Sequence, residues 1–359
     1  MAFNVTNTLA WSLKFPLTIS HFLELFPLQF LALQSLTSLA LPTNYLSGNL
    51  PSELAGCANL KFGKLTSLVA LGHGGNDYDE GKLPDSFGKL KKVYWLFLAG
   101  SNLTEQIPES IFEINALGTL DILNNRISGN VPKSISKLQN LFKIELYQNN
   151  LIGELPVELV DLIHLQEIDV SRNQLHGTLP KGIDSLKNLT HLNGFAVYSN
   201  SFTGEIPANL VWFSPLNSID ISENNNLQNL LAVEISCTEE FPDNYASCKT
   251  LTRYRVSQNQ LSGRIAEGLW GLPDVRMIDF SDNNFTGTVS PGIGAGTKLN
   301  QLVLSNNRFS GELPKEHGKL TQLERQYFDN NEFSGIIPSE LGTLKQISSL
   351  YLEKNSLSG

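Results

Sequence analysis

The feature that most constrains this chain is one line of residues written five times in succession between Leu251 and Gly359. It runs LTRYRVSQNQLSGRI, VRMIDFSDNNFTGTV, LNQLVLSNNRFSGEL, LERQYFDNNEFSGII and ISSLYLEKNSLSG; the first residues, Leu251, Val275, Leu299, Leu323 and Ile347, stand 24 apart. With that residue as position 1, positions 1, 4 and 6 are apolar (Leu299, Leu302 and Leu304 in one copy). Positions 4 and 6 alternate with polar neighbours, the period of a strand with one buried face. Position 9 is asparagine in every copy (Asn259, Asn283, Asn307, Asn331, Asn355). A buried amide needs partners, and the backbone of the next turn can supply them as a ladder. Position 13 is glycine, suited to a turn that a side chain would hinder. Position 16 is often proline, as in Pro314 and Pro338, which ends strand pairing and fixes φ for the return leg. One copy cannot bury its own apolar side, whereas stacked copies share a core. The expected fold is an α/β solenoid with a parallel β-sheet on its concave face.

A solenoid grows by adding turns, so 359 residues are compatible with one elongated body. Lys plus Arg number 26 and Asp plus Glu 35, a net charge of 26 − 35 = −9, which excludes the overall basic field that nucleic acid selects. No run of 18 apolar residues is present, so no membrane span is expected; the nearest stretch, His21 to Leu33, is interrupted by Glu24, Pro27 and Gln29. Three cysteines are an odd set. Cys57 and Cys248 fall at position 22, where other copies carry leucine, and read as small buried hydrophobes. Cys237 lies in an irregular copy, and a bond from it to Cys248 is left open.

Carried back along the chain, position 1 falls at Leu36, Leu68, Val93, Leu117, Leu141, Leu165, Leu192, Leu216 and Leu227. Residues 1–35 do not follow the pattern and are left unassigned, so the solenoid is expected over 36–359. Three defects interrupt it, near 60–68, 189–192 and 224–240. In the first, most of a turn is missing between Leu60 and Phe62. In the second, the step from Leu165 to Leu192 is 27. In the third, the step from Leu216 to Leu227 is only 11, too short for a full turn, and LQNLLAV reads as a new ascending strand. Two single residues also depart: His73 at position 6 and Gln326 at position 4, both read as polar groups tolerated in the core.

On a parallel stack, positions 3, 5, 7 and 8 point to the concave face, and a binding surface can be read from them. It offers Trp95 and Phe97, then Lys143, Glu145 and Tyr147, then Glu167, Asp169 and Arg172, then Tyr198, then Asp220 and Glu223. Exposed aromatics on a strand face commonly anchor interfaces. Arg253 and Arg255, at i and i+2 of one strand, place two guanidinium groups side by side, a cost unless an anion neutralises them. No catalytic constellation or cofactor motif accompanies them. GIGAGTK, residues 292–298, lacks the ending of a phosphate loop and falls on the convex return, and the position-5 aspartates have no nucleophile or histidine beside them. Glycosylation sequons occur at Asn102, Asn188 and Asn284, and at Asn4.

The form LxxLxLxxNxLxGxIP with a 24-residue period resembles the plant extracellular class of leucine-rich repeats. Three longer stretches, KLPDSFGKLKKVYWLFLAGSNLTEQIPESIF, LWGLPDVRMIDFSDNNFTGTVSPGIG and LNQLVLSNNRFSGELPKEHGKL, resemble ectodomains of plant receptor-like kinases, in particular receptors for C-terminally encoded peptides. The resemblance covers roughly residues 34–359. It implies a cell-surface parent at the plasma membrane, with the repeats on the extracellular side. It also implies a concave face that holds an extended secreted peptide, and a co-receptor leucine-rich-repeat kinase as second partner. In the family an Arg-x-Arg at the matching strand receives the peptide's free C-terminal carboxylate, and TRYRVSQN fits that motif. The implied peptide-binding set is Arg253, Arg255, Trp95, Phe97, Tyr147, Glu145, Tyr198 and Asp220. No kinase sequence is present, and against the family the chain reads as truncated and short of repeats. The alternatives are a secreted inhibitor of microbial wall-degrading enzymes on the same repeat, and a non-functional truncated paralogue.

Overall fold

Each regular copy enters with a three-residue strand at positions 3 to 5, where a β-branched or apolar residue at position 4 turns inward and its neighbours turn outward. The computed structural model describes residues 8–10, 17–18, 37–50, 68–186, 188, 194–206, 217–224, 226–230 and 250–359. These fall into two compact units, Met1–Leu175 and His176–Gly359. In the second unit the strands Ser218–Asp220, Arg253–Arg255, Met277–Asp279, Gln301–Val303, Arg325–Tyr327 and Ser349–Tyr351 pair in parallel, in sequence order. From Arg253 onward partners are 24 apart (Arg253↔Met277, Met277↔Gln301), the period read from the sequence. In the first unit Ser38–Ala40, Ala70–Gly72, Trp95–Phe97, Thr119–Asp121, Lys143–Glu145 and Glu167–Asp169 form the same arrangement.

The convex side returns by 3-10 turns rather than α-helices. Pro84, Pro108, Pro132, Pro156, Pro314 and Pro338 each stand just before such a turn, with φ between −59° and −69°. Among the described residues the one short α-helix is Glu267–Trp270. Between the two sides runs a row of buried rings: Phe285 stacks on Phe309 at 6.1 Å and Phe309 on Phe333 at 6.2 Å.

The position-9 asparagine closes the corner after the strand. Asn307 Nδ2 donates to Phe280 O at 2.9 Å, Leu304 O at 3.1 Å and Ser305 O at 3.2 Å, while its Oδ1 accepts from Phe285 N at 2.9 Å. The bonds reach the preceding turn, not the following one, and recur for Asn283 and Asn331. Position 8, one residue earlier, is held in the left-handed region (Gln258, Asp282, Asn306, Asn330 and Lys354, φ 54° to 58°). It is a turn residue rather than part of the strand face.

Two expectations are corrected by the pairing. The third defect is not a short step. Arg253–Arg255 pairs directly with Ser218–Asp220, 35 residues back, and Asn226–Leu230 is the second, lateral strand of that same long repeat, paired with Ser201–Ile206. Gln260 N donates to Leu227 O as Asn284 N does to Leu261 O, so Leu227 takes the place of position 11, not position 1. An apolar residue begins both kinds of strand, which is why the sequence pattern confused them. One ladder bond is missing there: Asn259 Oδ1 is buried without a partner. Near the first defect, Ser38–Ala40 pairs directly with Ala70–Gly72, 32 residues on, the step read from Leu36 to Leu68. Residues 1–35 are not wholly outside the pattern either: Thr8–Ala10 pairs with Ser38–Ala40, and Leu17–Thr18 with Leu46–Ser47. Cys57, Cys237 and Cys248, with residues 189–192 of the second defect, lie outside the described residues.

The two polar intruders differ. His73 Nδ1 meets Tyr78 Oη at 2.9 Å, and burial lowers the imidazole to about 4, so it is neutral at pH 7. Gln326 is fully buried and neither amide atom has a partner. Asn307→Ala is therefore expected to cost about 1 to 3 kcal/mol in urea unfolding, because the buried groups it served lose their partner. Gln326→Leu is expected to gain about 1 to 2 kcal/mol at nearly constant volume. A loss of stability in Gln326→Leu would show that the amide is satisfied after all.

Gly311 at position 13 has φ +79°, and a Cβ there would stand 2.7 Å from Thr288 Cγ2. Gly311→Ala is expected to lower the urea midpoint by the equivalent of about 1 to 2 kcal/mol, and an unchanged midpoint would mean that the turn relaxes.

Candidate ligand-binding face

The concave strands order the candidate residues by the pleat: position 4 is buried and positions 3 and 5 face out. In the first unit this leaves Trp95 39% and Phe97 38% exposed on either side of buried Leu96. Trp95 is held upright by an edge contact with Tyr94 at 4.6 Å between centroids. Tyr147 is half-buried, with the Arg172 guanidinium 5.6 Å over its ring. Glu145 faces the concave side but is buried, its Oε1 2.8 Å from Lys143 Nζ.

In the second unit Tyr198 is half-buried. The two arginines are not equivalent. Arg255 sits between two aspartates on the flanking strands: Nη1 is 3.0 Å from Asp220 Oδ2 and Nε is 3.4 Å from Asp279 Oδ2. Burial works against its charge, but the attraction of Asp220 and Asp279 outweighs that and holds the guanidinium above its ordinary value. Asp220 is itself tied down by Ser222, whose Oγ donates at 2.6 Å. Asp279 is held in the same way by Ser281 at 2.7 Å. Arg253 reaches Asp220 only at 3.8 Å, and its side chain is 46% exposed against 20% for Arg255.

The anion that the arginine pair requires is thus already present within the fold. Sequence reasoning missed it because it inserted a copy at Leu227 between Asp220 and Arg255. With the true register, Asp220, Arg255 and Asp279 occupy position 5 of three consecutive strands. The aspartates on either side were the legible signal, given correct spacing. Asp220 consequently positions Arg255 and does not face a ligand freely. Of the sequon asparagines, Asn188 and Asn284 are exposed, whereas Asn102 is half-buried and its Nδ2 donates to Tyr78 O at 3.0 Å.

Known proteins share this architecture. The Leucine Rich Repeat family pattern matches residues 164–186 and 298–320. The structure is similar to that of the Arabidopsis receptor kinase HAESA in complex with the peptide hormone IDA and the co-receptor SERK1. That likeness has 34% identity and a TM-score of 0.65, and covers 93% of this chain and 60% of that one. It is also similar to PEPR1 in the PEPR1–AtPEP1 complex, at 27% identity and a TM-score of 0.81, covering 98% of this chain and 45% of that one. With the stacked strands and the asparagine ladder, these likenesses define a leucine-rich-repeat solenoid similar in fold to plant receptor-kinase ectodomains. In sequence, 72 residues are 46% identical to the receptor protein-tyrosine kinase CEPR2 of Arabidopsis thaliana, a stretch that is 20% of this chain and 7% of that protein. The chain therefore spans less than two thirds of the length of each of these relatives.

Arg255→Ala is expected to destabilise the fold by about 1 to 3 kcal/mol, because it leaves Asp220 and Asp279 without their common partner in a half-buried place. Arg253→Ala is expected to change stability by less than about 1 kcal/mol. Urea midpoints of the two variants measure the difference, and equal losses would contradict the division of labour between them.

Proposed function

We propose that this chain is the extracellular ligand-binding region of a plant peptide-hormone receptor-like kinase. It would recognise an extended secreted peptide and signal, as part of a longer parent at the plasma membrane, with a co-receptor kinase. The observation that carries the reading is Arg253: an exposed guanidinium on the concave sheet, next to an arginine already neutralised by Asp220 and Asp279, in a fold shared with peptide-hormone receptors. A free carboxylate docking there would take charge-assisted bonds from Arg253 without stripping Arg255 of its partners. Arg255 and Asp220 then set the position of Arg253, and Tyr198 of the same unit supplies an apolar contact for a peptide side chain. Trp95, Phe97 and Tyr147 are the corresponding aromatic candidates on the concave strands of the other unit.

Calorimetry on extended peptides, each as a free acid and as its C-terminal amide, tests this. The acid is expected to bind more tightly by about 1 to 3 kcal/mol, below the value for a fully buried pair because Arg253 is half exposed. Arg253→Ala is expected to erase the difference. Equal binding of acid and amide would remove the carboxylate reading, and capture of a microbial wall-degrading enzyme instead would favour an inhibitor.

A further inference from the structure

In the unit of residues 1–175 the concave sheet brings three carboxylates into one row. Thr119–Asp121, Lys143–Glu145 and Glu167–Asp169 pair in parallel with Asp121 opposite Glu145 and Glu145 opposite Asp169. Neighbouring strands lie about 4.8 Å apart, so side chains in such a row are close neighbours. Glu167, at position 3 of the third strand, adds a fourth carboxylate. Lys143 serves this group, with Nζ 2.8 Å from Glu145 Oε1 and 3.0 Å from Glu167 Oε2. Glu145, Glu167 and Asp169 are all more than nine-tenths buried. Asp169 Oδ1 also accepts from Ser171 N at 2.9 Å and Asp121 Oδ1 from Leu123 N at 3.3 Å. Along the strand from Glu145 stands Tyr147, whose ring lies beneath the Arg172 guanidinium.

Like charges held close together in a poorly solvated place disfavour one another's ionisation. Burial pushes the Glu145 carboxyl up to about 7, with Asp169 and Glu167 adding to the rise and Lys143 opposing it. Burial also raises Asp121, against the Leu123 N–H and Lys143.

We propose that Glu145, buried in a row between Asp121 and Asp169, holds one proton that the folded chain keeps at mildly acid pH and releases through neutrality, so that the charge of this concave face follows the surrounding pH. The folded state then binds a proton that the unfolded chain gives up near an ordinary glutamate value. The stabilisation is fully present below that value and is lost as pH rises toward about 7. The buried imidazoles act in the opposite sense. His73 and His317 are lowered by burial to about 4, and their contribution is lost as pH falls below the ordinary histidine range. The inference rests on this sheet alone and stands or falls independently of the peptide reading.

Carboxyl 13C NMR of the full chain, labelled at glutamate and titrated from about pH 4 to 9, reads the proton directly. The signal removed by Glu145→Gln is expected to titrate near 7, and in Asp169→Asn its midpoint is expected to move down, because a repelling neighbour has been neutralised. A midpoint between about 4 and 5, or one unmoved in Asp169→Asn, would overturn the proposal. Urea midpoints give a second reading. The wild-type value minus that of Glu145→Gln is expected to fall between pH 5 and pH 8, a difference in which the histidines cancel; a flat difference would also overturn it. If Glu145→Gln does not fold, Glu145→Asp identifies the same signal and the Asp169→Asn arm still decides.

Discussion

The corner after each concave strand is the constraint on which this structure depends. There the chain turns through a left-handed residue at position 8 and buries backbone donors and acceptors that no sheet ladder serves. One asparagine side chain per turn satisfies them, with two donors on Nδ2 and an acceptor on Oδ1 reaching back to the preceding repeat. Buried polar groups without such partners would be costly, so each turn needs the amide of the next. The fold is therefore cooperative between neighbours. Where the pattern stretches to 35 residues, the amide of Asn259 still donates to Ile221 O, but its oxygen is left over.

A second consequence of parallel stacking is that identical positions of successive repeats become neighbours at one strand spacing. Residues with no relation along the chain are thus brought into rows. Arg255 between Asp220 and Asp279 is a row with alternating sign, and it stabilises itself. Asp121, Glu145 and Asp169 form a row of one sign, and Lys143 at a flanking position offsets it. The same geometry makes the first a preformed cradle that leaves Arg253 available, and the second a group that holds a proton.

Aromatic residues obey the same rule on both faces of the sheet. Phe285, Phe309 and Phe333 repeat at position 11 and stack into the core, whereas Tyr327 and Tyr351 stack at 4.6 Å on the concave side. Trp95 and Phe97 differ in being at i and i+2 of one strand, so they stand side by side and remain exposed.

The sequence by itself determined the repeat, the period of the regular run, the inward positions 4 and 6, the ladder asparagine, and the glycine and proline of the return leg. Each follows from local chemistry repeated at fixed spacing. It also placed Trp95, Phe97 and Arg253 on an exposed strand face, because strand alternation is a local property. What only the tertiary structure decided was which copies are neighbours where the spacing fails. An apolar residue opens both the concave and the lateral strand, so LQNLLAV fitted either, and only the pairing with Ser201–Ile206 distinguished them. That one assignment moved Asp220 next to Arg255 and turned two free arginines into one engaged and one available. The burial of Glu145 and its row likewise depends on side chains from three separate strands, a property that no single copy of the repeat contains.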